Sequence, residues 1–390
     1  MKAGPAASAR GALAAALLLC FAFGAIHAFS VVLEPMQDLL GASRSAVSLG
    51  YALAIASLTC GVFVSAGVRR WLTPARLAIL CGVVGAGGLL LAAAGWGVLP
   101  FVMGFGVVFG LANGLAYSLS LAMAADAAVL AAGPAMGLAT AVYGLGAVAF
   151  AAILARLEAA WGIGGALCGL AFAVIAAGLG AGLLLRHQTS GMPVAASPAH
   201  LPPPVSPAWT ARLWLVYFFG ASGGLMVIAH AAQILGPSGA GRLALGPMLV
   251  NAGSIAGGVL GGLAAGRLAP RFSLGVPLVL AGLAMSAFLP AEPAALQPAA
   301  LLICGLSYGM IIAAVPAVIR DVGGREVFAA VFGVVFTAWG LAGLLGPLGA
   351  GVIYDHQGHY RIAIVLAQAM MGTALVLSLT LGRNGGRARA

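Results

Sequence analysis

Charge is what this chain lacks. Asp, Glu, Lys and Arg make up 7% of its 390 residues, where a soluble domain carries about a quarter. A solvated surface cannot be made from so few. Lysine occurs once, as Lys2. There is no Ser/His/Asp set, no His/Cys cluster at metal spacing and no phosphate-cradling loop with its lysine. Those absences argue against an enzyme and against ATP-driven chemistry, and no cofactor or metal is expected. The five cysteines, Cys20, Cys60, Cys81, Cys168 and Cys304, all fall inside apolar stretches and read as small packing residues. The net charge of +10 comes from basic residues scattered along the chain rather than gathered on one face, so nucleic acid is not an expected partner.

What the chain has is apolar length. It is 62% hydrophobic with a mean hydropathy of +1.11. Runs of roughly 20 apolar residues, long enough to cross a bilayer, fill almost all of it. In lipid the backbone must bond within its own segment, so spans are helices or closed barrels. Barrel strands would alternate apolar and polar residues over about ten positions. These runs do not, so helices are expected. The 59 glycines suit close contact between membrane helices.

Twelve spans are read, at about 12–34, 45–67, 76–95, 100–124, 133–156, 162–185, 211–235, 243–266, 273–290, 298–319, 327–353 and 361–382. Residues 186–210, rich in Pro, Ser and Ala, read as a cytoplasmic linker. It separates an N-terminal six-helix bundle, 1–185, from a C-terminal one, 211–390. With twelve spans the termini share one side, and that side holds fourteen of the 18 Lys and Arg residues. Both termini are therefore expected in the cytoplasm, with the protein multi-pass in a cytoplasmic (inner) membrane and monomeric. Residues 1–28 also have the basic start, apolar core and small residues of a signal peptide. Removing them would break the twelve-span parity. A faint repeat links the halves: GLANG (Gly110 to Gly114) in span four and GLSYG (Gly305 to Gly309) in span ten. Duplicated six-helix bundles are an architecture of alternating-access carriers.

Three stretches carry a resemblance. FGAIHAFSVVLEPMQDLLGASRSAVS (Phe23 to Ser48) covers a first span, a short outer loop and a Ser-Arg-Ser entry to span two. GLMVIAHAAQI (Gly224 to Ile234) lies in span seven. FGVVFTAWGLAGLLGPLGAGVIYDHQGHY (Phe332 to Tyr360) carries Ala-Trp-Gly and Gly-Pro elements. With these the chain resembles the major facilitator superfamily and, within it, the oxalate/formate antiporter and monocarboxylate transporter-like group. The resemblance implies an all-α integral membrane fold with twelve transmembrane helices in two pseudo-symmetric six-helix bundles.

The departures bear on mechanism. The resemblance implies an acid in the loops after spans two and eight. Here the second copy reads Gly262-Leu-Ala-Ala-Gly266-Arg267-Leu268-Ala269-Pro270-Arg271, with Gly266 in place of the acid, and the copy from Arg69 to Arg76 lacks it too. Carboxylate carriers of this group have an arginine where this chain has Gly258. Oxalate-carrying relatives have a lysine where it has Trp339. A charge buried in a span costs about 2.5–3.5 kcal/mol on insertion scales, so it is kept only where it serves. The expected solute is thus neutral, or an anion held by neutral donors, or a protonated acid.

The candidate substrate residues are polar side chains within spans: His27, Asn113, Tyr117, Tyr143, His230, Asn251, Tyr308 and Trp339, with Ser307 beside Tyr308. Asn113 and Tyr117 stand four apart and share a helix face. Each candidate also has a packing alternative, as a bond between helices. The candidate gating residues are Arg69, Arg70, Arg267, Arg271 and Asp126, the last either pairing with Arg69 or Arg70 or lying solvated at a helix end. Glu34 and Asp38 are read as solvated at the outer mouth, and Asp321 and Glu326 as local partners of Arg320 and Arg325. Trp161, Tyr354 and Tyr360 fit an interfacial aromatic belt.

The function expected is secondary active transport of a small, monocarboxylate-like solute by alternating access, coupled to protons or a counter-solute. An efflux carrier for apolar drugs and a non-transporting membrane sensor remain alternatives.

Overall fold

The computed structural model describes residues 5–127, 132–186, 205–236, 239–265, 267–289 and 295–381. Among them every regular element is a helix. The chain divides into two compact units, Met1–Val194 with Ser238–Met248, and Ala195–Pro237 with Leu249–Ala390.

In the first unit, α1 (Pro5–Phe23) runs through a 3-10 turn, Gly24–Ala28, into α2 (Ser30–Leu40). The expected outer loop is therefore largely helix. It closes at Gly41, whose left-handed φ of 56° sends its N–H back to the Gln37 carbonyl. The Ser43 hydroxyl caps α3 (Arg44–Val68) by accepting from the Ala46 N–H at 3.2 Å. After α4 (Pro74–Ala93), α5 (Val98–Phe101) leads through a π-helical stretch, Val102–Phe109, into α6 (Gly110–Asp126). α7 (Ala132–Leu185) has 54 residues, or about 80 Å at 1.5 Å per residue. That is far longer than a bilayer is thick. It holds the fifth and sixth spans and breaks at Gly162, where φ is 68° and ψ 175°, a conformation glycine adopts without strain.

The second unit follows with α8 (Pro207–Leu235), the part of α9 (Gly239–Ala265) from Leu249 on, α10 (Pro270–Met285), α11 (Gln297–Gln357) and α12 (Arg361–Leu379). α8 begins four residues before the expected span. Residues 187–204 of the expected linker lie outside the described residues. α11 carries two apolar stretches, Gln297–Val322 and Val331–Gln357. Eleven stretches among the described residues are long and apolar enough to cross a membrane. One of them contains the two spans on either side of Gly162, which makes twelve.

Glycine sets how closely the helices pack. An added Cβ at Gly114 would run into the Leu58 carbonyl of α3, and one at Gly110 would lie 2.6 Å from the Ala54 carbonyl oxygen. In the second unit, Cβ atoms at Gly305 and Gly309 would run into the carbonyls of Val250 and Ser254 on α9. GLANG and GLSYG thus do the same work, each seating the next-but-one span of its own half against bare backbone. Outward-facing positions are apolar, with Phe172, Leu283 and Val376 among the most exposed. Trp71, Trp96 and Trp161 are also exposed, each at a break between spans, as an interfacial belt requires.

Two expectations need correction. Cys20, Cys81 and Cys304 are buried, but Cys60 and Cys168 are exposed and fill no interior space. Tyr360 is no belt residue. It is buried, with its ring 4.8 Å from that of Tyr354, and its hydroxyl is spent on His230.

Candidate functional site

Four of the eight substrate candidates come together in the first unit. The Tyr143 hydroxyl donates to Asn113 Oδ1 at 2.9 Å, and Asn113 Nδ2 donates to the Phe23 carbonyl at 2.7 Å. Phe23 ends α1, where the switch to a 3-10 turn disturbs the regular ladder of helix bonds. The amide of Asn113 therefore ties α6 to the end of α1 and to α7 at once. His27, in that 3-10 turn, sets its ring edge-on to Tyr143 at 5.7 Å. Its Nδ1 lies 2.8 Å from the Tyr51 hydroxyl. The Tyr117 ring packs 4.9 Å from that of Tyr143, and its hydroxyl meets Thr140 Oγ1 at 3.3 Å. A Cβ at Gly24 would strike the Tyr143 carbonyl, so α7 approaches this turn as bare backbone. Both irregular stretches, Gly24–Ala28 and Val102–Phe109, adjoin the cluster in sequence. Interrupted helices of this kind favour sites at mid-span in carriers.

The second unit brings together two more. Trp339 Nε1 donates to the Tyr308 hydroxyl at 2.8 Å, and the indole stacks on Phe336 at 5.3 Å. The neighbouring Ser307 hydroxyl is buried and finds no hydrogen-bond partner among the described residues. Asn251 is buried on α9. His230 has partners of its own. Its Nε2 lies 3.0 Å from the Pro347 carbonyl, which can only accept, so Nε2 carries the proton. In the neutral ring Nδ1 then accepts from the Tyr360 hydroxyl at 2.9 Å. His230 is fully buried and joins α8, α11 and the start of α12.

The gating candidates sit at helix ends. Arg69 follows α3 and is partly buried, and its Nε finds no hydrogen-bond partner among the described residues. Burial lowers the Arg69 guanidinium below the ordinary arginine value, and attraction to Asp126 opposes that fall. Asp126 itself is exposed at the end of α6, as is Arg70 after α3. Arg267 is exposed, and the Arg271 guanidinium lies 4.9 Å over the Phe272 ring. Gly266 lies outside the described residues, as do the side chains of Arg325 and Glu326.

Sequence reasoning missed Tyr51, Thr140 and Arg44. Tyr51 is fully buried, and its ring stacks on Phe29 at 4.9 Å. Arg44 is 6% exposed, and its Nε donates to Gln37 Oε1 at 2.8 Å. The available signal was polarity inside an apolar run, which Tyr51 and Thr140 share with the residues that were chosen. Among the described residues no group of three or more His, Cys, Asp or Glu could hold a metal ion.

Comparison with known proteins places the chain. The model of the Major Facilitator Superfamily matches residues 12–347. No curated protein matches it. Solved structures of similar fold include a bacterial homologue of the human lysosomal transporter Spinster in an inward-facing, occupied conformation. It has 16% identity and a TM-score of 0.75, over 97% of this chain and 98% of that one. A D-xylose–proton symporter has 14% identity and a TM-score of 0.71, over 95% and 97%. The inward-open xylose transporter of E. coli has 13% identity and a TM-score of 0.72, over 95% of each chain. At these identities the likeness concerns the fold. The family match covers most of the chain, which therefore belongs to the Major Facilitator Superfamily and is a membrane transporter rather than an enzyme.

Proposed function

We propose that this transporter moves a small monocarboxylate-like solute by secondary active transport, binding it through uncharged donors as the protonated acid or as an anion without a cationic partner. The observation that carries the reading is the first-unit cluster of Asn113, Tyr143, Tyr117, His27 and Tyr51. It offers several hydrogen-bonding groups and no permanent charge. Such groups fix a polar solute in a mostly apolar site without the cost of a buried ion. The Tyr308–Trp339 pair supplies an equivalent neutral donor set in the second half. The charge asymmetry of the loops and the repeat support alternating access of two six-helix halves with termini in the cytoplasm.

If transport is coupled to protons, His230 or His27 is the titrating group. His27 Nδ1 lies against the Tyr51 hydroxyl, and both ring nitrogens of His230 are bonded, to Pro347 and Tyr360. The test is uptake in proteoliposomes of radiolabelled small carboxylates at pH 5.5 and 7.5. Uptake that rises at low pH, and loses that rise in His27→Gln or in His230→Gln, supports the reading. Equal uptake at both pH values, or an unchanged rise in a His27→Gln, His230→Gln double variant, removes the proton step. A lack of any carboxylate uptake, with apolar compounds carried instead, replaces the solute class. That second reading, efflux of apolar compounds, is favoured by an apolar cleft beside Trp214 in the second unit.

A further inference from the structure

That cleft has a volume of about 650 Å³ and opens between the first turns of α8 and the second apolar stretch of α11. Ala211, Trp214 and Leu215 form one wall, and Val331 and Val334 the other. Pockets that take organic ligands run from about 300 to 1,000 Å³ and are mostly apolar.

The polar side chains of the described lining are hydrogen-bonded. Trp214 Nε1 donates to Thr337 Oγ1 at 2.8 Å, and the Thr337 hydroxyl in turn donates to the Val334 carbonyl at 2.6 Å. The Thr210 hydroxyl, also on the wall, donates to the Ser206 carbonyl at 3.3 Å. Among the described residues that line the cleft, Thr210 and Trp214 alone carry polar side-chain atoms, and each is hydrogen-bonded. The indole is also held in orientation. It stacks on Phe218 with ring centroids 5.5 Å apart and planes 12° from parallel. The hydrogen bond and the stack together favour one orientation of Trp214. It presents a flat apolar surface whose ordering cost has been met before any ligand arrives. A fixed flat wall favours a flat ring over a flexible chain, because aromatic pairs gain beyond the area they bury.

We infer that the cleft beside Trp214 binds the planar aromatic part of the transported solute. The inference rests on the carrier reading above and sharpens it: the solute is an aromatic monocarboxylic acid. Its ring enters the cleft and its carboxyl stays outside it.

The experiment uses the full chain purified in detergent, with benzoate, benzamide and acetate as probes at pH 5.5. Binding is read as thermal stabilisation and as a Kd by calorimetry. Two variants accompany the wild type. Trp214→Leu removes the flat wall. Val334→Trp fills the cleft from a position that is 56% exposed, so the fold accommodates it. Benzoate and benzamide should stabilise the wild type. Trp214→Leu should weaken both by about two- to tenfold, the size of an aromatic pair. Val334→Trp should abolish both while keeping its own unliganded melting temperature.

Acetate binding as tightly as benzoate, with neither variant changing either, overturns the aromatic site and leaves the carboxylate carrier standing. Benzamide binding that depends on Trp214, with no binding of benzoate or acetate, keeps the aromatic site and overturns the carboxylate reading. Displacement of benzoate by a long-chain phospholipid, equal in wild type and Trp214→Leu, identifies an acyl chain as occupant and overturns the inference.

Discussion

Trp339 donates its indole N–H to the Tyr308 hydroxyl and so joins the tenth span to the eleventh through two uncharged side chains. The Tyr143–Asn113 bond joins the fourth span to the fifth in the other half. Asn113 and Tyr308 are the fourth residues of GLANG and GLSYG. The repeat thus places a hydrogen-bonding side chain at the same point of each half, beside glycines that seat the neighbouring span. The partners differ by one helical turn. Tyr143 stands three residues before Gly146, whereas Trp339 stands seven before Gly346, and these two glycines pack on the first span of their half in each case.

Losing either end of the Trp339–Tyr308 bond should weaken solute binding, and the two losses should not add. Trp339→Phe removes the donor. Tyr308→Phe leaves the indole N–H unpaired at a site that is 7% exposed, which costs about 1–3 kcal/mol. A double-mutant cycle on solute Kd should give a coupling of about 0.5–1.5 kcal/mol. Strict additivity would mean that the bond plays no part in the site.

The glycine contacts give a stability test with an internal control. Gly114→Ala and Gly309→Ala each force a methyl into a backbone carbonyl and should cost about 1–3 kcal/mol. Their melting temperatures should fall. Gly349→Ala, where an added Cβ meets nothing within 4 Å, should not lower it. Equal behaviour of all three would show that helix spacing is not set at these glycines.

Much of this was legible in the sequence. The spans were, because a run of some twenty apolar residues has few other uses. Asn113, Tyr117 and Tyr143 were, because a polar side chain inside such a run must find a partner. The glycine repeat was visible as letters, but not as packing. Tyr51 was missed because its span is hydrophobic all round, so no polar stripe shows which face turns inward. The 3-10 turn at Gly24–Ala28 and the π-helical stretch at Val102–Phe109 carry no composition that separates them from ordinary helix. Tyr360 was misread because an aromatic near a span end looks the same whether it faces the interface or a buried histidine.

Asp126 should act on the transport rate and leave solute affinity alone. It is exposed, and its attraction for Arg69 crosses from the end of α6 to the end of α3. An exposed attraction is worth less than about 1 kcal/mol, so Asp126→Asn should change the maximal uptake rate by no more than about fivefold, with KM unchanged. Salt provides the check, because the screening length falls from about 10 Å at 0.1 M to about 3 Å at 1 M. Wild-type uptake should shift between those salt concentrations, and the Asn variant should not. The same salt response in both would assign Asp126 to ordinary solvation.

Gly258 is where the resemblance to carboxylate carriers implies an arginine, and the structure leaves space for one. An added Cβ at this position meets nothing within 4 Å, while the neighbouring Gly257 and Gly261 are closed by the backbone of α11. An arginine at 258 can thus leave the helix without disturbing the glycine contacts. Its charge would cost about 2.5–3.5 kcal/mol if left unpaired in the span, and a bound carboxylate would offset that cost. If the wild type carries its acid in the neutral form, Gly258→Arg should shift binding toward the anion. Carboxylate Kd at pH 7.5 should then tighten, by about tenfold for each 1.4 kcal/mol gained, and binding of a neutral amide analogue should not. The variant should melt higher with carboxylate than without it, and by more than the wild type does. A folded Gly258→Arg protein that binds the anion no better at pH 7.5 would mean that the open side of Gly258 does not face the solute, and that its lost cation is no guide to the solute's charge.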